Sequence, residues 1–76
     1  MDNSKQKRDR FKRVASRRVE NILNDIKSLS KCSNKNNYEY TEADISKMLK
    51  AIKEEIKLME TLFKKNLKDN NSTFNF

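Results

Sequence analysis

Seventy-six residues, of which 34% are hydrophobic and 38% charged, with a net charge of +7, allow one small domain that has little apolar area to bury on its own. With no His, no Gly and a single Cys, the chain lacks the parts of a Ser-His-Asp triad, a zinc site or a glycine-rich phosphate loop, so no enzyme, metal site or cofactor is expected. No apolar run approaches the ~20 residues that span a bilayer, no signal-peptide core follows the basic start, and Cys32 has no internal disulfide partner. These features predict a soluble cytoplasmic protein with an inert thiol and no membrane role.

Residues 1–6 read as a flexible basic start. From Ala15 the apolar residues fall at Ala15, Val19, Ile22, Ile26 and Leu29, a 4-3-4-3 spacing that keeps them on one helical face and predicts a helix from about Lys7 to about Ser30. A connector over 31–40 follows. Ile45, Leu49, Ile52, Ile56, Met59 and Phe63 then repeat the spacing, with Met48 and Leu62 beside them, and predict a second helix from about Thr41 or Glu42 to about Leu67. The expected fold is all-α. It is an antiparallel two-helix hairpin with coiled-coil-like stripes too broad for one neighbour, completed by dimerisation into a four-helix bundle or by docking on a partner.

The connector, CSNKNNYEYT, turns the chain without Gly or Pro. Asn34, Asn36 and Asn37 are suited to the left-handed region and to bonding their own backbone. Thr41 is a good N-cap, Asp44 stands at the capping-box position, and Tyr40 and Ile45 have staple spacing. Tyr38 has no part in the cap. Two roles are open to it, a ring closing the end of the helix pair or a platform on which a base or partner side chain stacks. Residues 69–76 lose the apolar spacing and read as a flexible tail, where Phe74 and Phe76 either rest on the bundle or form a short docking peptide.

Charge is concentrated at one end. Residues 1–20 hold eight Lys or Arg against three Asp or Glu, and the rest of the chain ten against eight. All five arginines lie in the first group, and every basic residue after Arg18 is Lys. The guanidinium fork binds phosphate or carboxylate with a geometry that lysine lacks. At about 100° per residue Arg10, Arg13 and Arg17 fall within about 60° of one another, roughly opposite the apolar stripe. This outward ridge, with Arg8, Lys12, Arg18, Lys5 and Lys7 around it, is the candidate contact for nucleic acid. Asn21 and Asn24 are the available base-reading residues, but backbone contact is expected to dominate. The competing interpretation is a solvated face that keeps the protein soluble.

At FKRVASRR and CSNKNNYEYTEADISKMLKAIKEEI the sequence resembles small helical proteins encoded by phages and mobile genetic elements of Gram-positive bacteria. Their pattern pairs a basic F-K-x-x-A-x-x-R start with an S-N-x-x-N-Y-E-Y-T-x-x-D connector and a helix of spaced isoleucines. Phe11, Lys12, Ala15 and Arg18 match the first part, and Ser33, Asn34, Asn37, Tyr38, Glu39, Tyr40, Thr41 and Asp44 the second. The resemblance covers roughly residues 11–60 and implies a genomic setting and a helical fold. The Gly that often precedes the Cys in that group is replaced here by Ser30 or Lys31, so the first helix is expected to end differently.

The function expected from all of this is a non-enzymatic nucleic-acid-binding accessory or regulatory protein, acting on DNA ahead of RNA, as a homodimer. Arg8, Arg10, Lys12, Arg13, Arg17, Arg18 and Tyr38 are the candidate contacts. The alternative is a protein-binding module or inhibitor whose arginines meet an acidic or nucleic-acid-binding surface of another protein.

Overall fold

A chain without glycine or proline contains no residue that breaks a helix through its backbone alone, so each helix runs until side chains offer its end groups other partners. The computed structural model describes residues 2–72, with side chains for 4–68. Helix α1 spans Asp2–Ser30, a 3-10 turn covers Lys31–Ser33, and helix α2 spans Glu42–Ser72. No strand occurs among the described residues, in keeping with an all-α chain of two helices. The chain divides into two units, Met1–Glu39 and Tyr40–Phe76.

Helix α1 begins at Asp2 rather than near Lys7, so the positions expected to form a flexible start are helical from residue 2 onward. The apolar period marks the face that can be covered. Backbone bonding needs only compatible residues, and once a turn is nucleated each further residue adds a bond at little cost. Asp9, four residues after Lys5 and four before Arg13, also tempers the repulsion among the basic side chains. Near the other end the Ser30 hydroxyl donates to the Ile26 carbonyl at 2.9 Å, taking up one acceptor of the last turn.

Asn34 then makes the turn. It is extended, at φ −69° and ψ 106°, and its N–H donates to the Lys31 carbonyl at 3.3 Å. Its Oδ1 accepts from the Asn36 N–H at 3.0 Å, and its carbonyl accepts from the N–H groups of Asn37 at 3.1 Å and Tyr38 at 3.0 Å. The expected bonding of asparagine to its own backbone is therefore present. The expected left-handed conformation is not, because no described residue has positive φ. Side-chain and carbonyl acceptance at one residue forms the turn within the ordinary region.

Helix α2 starts on a reciprocal cap. The Asp44 N–H donates to Thr41 Oγ1 at 3.2 Å, and the Thr41 N–H donates to Asp44 Oδ2 at 2.9 Å. Tyr40 is half-buried beside this cap. Glu42 and Asp44 put negative charge at the positive end of the helix dipole. The helix continues to Ser72, past its expected end near Leu67, so 69–72 are helical. Phe74 and Phe76 lie outside the described residues.

Among the described residues none is buried. Val14 and Ala15 on α1 and Ile52 on α2 are the most covered of the apolar side chains, while Val19, Ile22, Ile56 and Phe63 remain about half exposed. Each helix thus displays its apolar stripe as surface.

Candidate nucleic-acid interface

Because α1 is continuous from Asp2 to Ser30, the basic residues Lys5, Lys7, Arg8, Arg10, Lys12, Arg13, Arg17 and Arg18 all project from one rigid rod. All are exposed. Helical geometry sorts them into unequal groups. Arg10, Arg13 and Arg17 share one meridian, about 10 Å long from first to last at 1.5 Å per residue. Gln6 precedes them in this row, and Asn21 and Asn24 follow at helical spacing, while Asp9 and Glu20 stand at its edge, four residues before Arg13 and three after Arg17.

The other candidates are not brought onto that ridge. Arg8 projects from the side of the Ala15–Val19 stripe, Lys12 lies about 130° from the ridge centre, and Arg18 about 105°. The seven proposed contacts therefore do not act as one surface. Arg8 lies on the apolar face itself and Lys12 at its edge, where their aliphatic stems can lie along apolar surface while their charges stay in water. Tyr38 is exposed in the connector after α1, whose last residue Ser30 stands about 20 Å along the axis from Arg17. A base stacked on it would belong to a separate contact.

None of Arg10, Arg13 and Arg17 is held in an ion pair among the described residues, so their donors face solvent. A contrast stands on α2, where Lys64 Nζ lies 2.9 Å from Glu60 Oε2. The hydrogen bond from Lys64, followed by its positive charge, holds the exposed Glu60 carboxyl below its ordinary value.

Helix α2 also carries a basic row that counting charge along the chain does not reveal. Lys50, Lys53 and Lys57 fall within about 60° of one another. They line an open groove with Ser46, Leu49 and Glu54. Glu54 and Glu55 cancel much of this charge in a window of sequence, yet Glu55 projects from another face and Glu54 stands at the edge of the groove. Plotting charge by helical angle rather than by position separates them.

Among the described residues no cluster of His, Cys, Asp or Glu is suited to a metal ion. Likewise no described helix is long and apolar enough to cross a membrane. Cys32 is exposed in the 3-10 turn. Neither protein families, curated proteins nor solved structures give a match to this chain.

Proposed function

We propose that the protein binds nucleic acid without catalysing a reaction, as an accessory or regulatory factor of a phage or mobile element, with Arg10, Arg13 and Arg17 laid along phosphates. One observation carries this reading. Five of five arginines occupy eleven consecutive positions of a single exposed helix, and three of them form one row in which none is held in an ion pair among the described residues. A planar fork binds phosphate oxygens in pairs, and an exposed rod can follow a backbone without entering a groove. DNA is favoured over RNA because sequence-specific RNA binding leans on stacking aromatics, and Tyr38 lies far from the ridge. The genomic setting rests on the connector, where eight positions follow the phage and mobile-element pattern.

The scaffold for this contact is an antiparallel hairpin. Reversing the α1 stripe against that of α2 pairs Leu29 with Ile45, Ile26 with Leu49, Ile22 with Ile52, Val19 with Ile56, Ala15 with Met59 and Phe11 with Phe63. The two spacings remain in step from the connector outward, as knobs-into-holes packing requires. A second copy then covers the rest of the apolar surface and leaves the ridge turned outward.

Substituting Arg10, Arg13 and Arg17 together with Gln tests the reading, because helix propensity stays nearly level and the stripe is untouched. The parent, neutralising about five phosphates on duplex DNA, should show a log-log salt slope near −4 to −5. In the variant, affinity should fall for all sequences alike and the slope should shrink by about one unit per contact removed. Weak, salt-independent DNA binding by the parent, together with loss of a protein complex in the variant, would transfer the ridge to an acidic protein surface instead.

A further inference from the structure

We infer that Lys50, Lys53 and Lys57 of α2 form a second, sequence-independent contact for a nucleic-acid backbone. The inference rests on the nucleic-acid reading above but engages a different helix and different residues. The three ammonium groups stand on one meridian, spread over about 10 Å of helix axis. They line a single open groove and lie about 110° from the centre of the Ile45–Phe63 stripe, so covering that stripe leaves them in solvent.

Charge pairing decides where the contact ends. None of the three lysines is held in an ion pair among the described residues, although Glu54 stands four residues after Lys50 and three before Lys57. The next position along the row is Glu60, and there Lys64 is drawn into a 2.9 Å ion pair. The run free of ion pairs is thus Lys50–Lys57, which keeps an excess of positive charge with the Glu54 carboxylate at its edge. A uniform run of flexible point charges suits the regular negative charge of a phosphate backbone and makes no demand on base sequence. An acidic protein is the poorer fit, because lysine is depleted from protein interfaces and the row offers no aromatic or arginine anchor.

The test compares the parent, the variant with Lys50, Lys53 and Lys57 all changed to Gln, and the Arg10, Arg13 and Arg17 variant described above. Each is titrated with a duplex of random sequence across a salt series, with circular dichroism to establish equal helicity. Loss of about two units of salt slope in the lysine variant, the part of the parental slope that the three arginine contacts leave, equal for unrelated sequences, is the expected result. A lysine variant with the parental slope, beside an arginine variant that loses slope, overturns this contact and leaves the ridge standing. The reverse pattern supports the lysine contact and overturns the ridge. A parent with no salt-dependent binding overturns both. Competition with poly-glutamate provides a further check: if the lysine variant loses poly-glutamate binding while its DNA slope is unmoved, the row belongs to acidic protein and the inference fails.

Discussion

Thr41 and Asp44 satisfy each other's N–H groups at the start of α2, at 3.2 Å and 2.9 Å, and no other feature of the helix start replaces them. Without the Thr41 hydroxyl, the Asp44 N–H has only water as acceptor. Thr41→Ala should therefore cost about 1 kcal/mol, read as a lower midpoint in urea with an unchanged slope. An unshifted midpoint would mean that the cap is replaced by solvent without loss. This pair was legible in the sequence because capping is local, its partners being three residues apart with fixed chemistry. Asn34 was legible only in part. Its residue type announces a turn, but the choice between a left-handed residue and an extended one that accepts three N–H groups depends on the 3-10 turn before it, which carries no signature in the sequence.

At the scale of elements, the sequence located both helices and misplaced their outer ends. The apolar spacing runs out at Ala15 and Phe63, whereas α1 reaches back to Asp2 and α2 on to Ser72. The period records which side chains are meant to be covered, and hydrogen bonding continues wherever no residue opposes it. The candidate contacts divide along the same line. The arginine ridge was legible because arginine is segregated along the chain. The lysine row was not, because its segregation is angular and the neighbouring Glu54 and Glu55 hide it in any window count. The connector holds the remaining ambiguity, since Tyr38 is exposed although the Asn34 carbonyl fixes its backbone. Tyr38→Ala separates its two roles. A fall in melting temperature with unchanged binding assigns the ring to closing the helix pair, and the reverse assigns it to a contact. The exposed ring predicts the second outcome, a several-fold loss of affinity from a stacked base or side chain with the melting temperature held.

For the whole molecule the governing quantity is apolar surface that water still reaches. Along α2 the stripe is flanked by Leu58 and Leu62, exposed at 58% and 60%, which widens the apolar arc of its second half to about half the helix circumference. A facing helix covers a stripe of about 100°, so pairing α1 with α2 would still leave Leu58 and Leu62 uncovered. A second copy presents the same arc and is self-complementary about a two-fold axis. The isolated protein should accordingly be a dimer at micromolar concentration, with helicity that falls on dilution as association is lost. Ile52, the most covered side chain of the α2 stripe, is where a charge does most harm. In Ile52→Asp an unpaired carboxylate enters the seam at a cost of several kcal/mol, enough to remove the margin of a chain this short, so helicity and association should disappear together. Sedimentation and circular dichroism on the same samples decide the matter. A well-folded monomeric parent, with helicity unchanged in Ile52→Asp, would show that the stripe is not a seam and that the two helices do not depend on its burial.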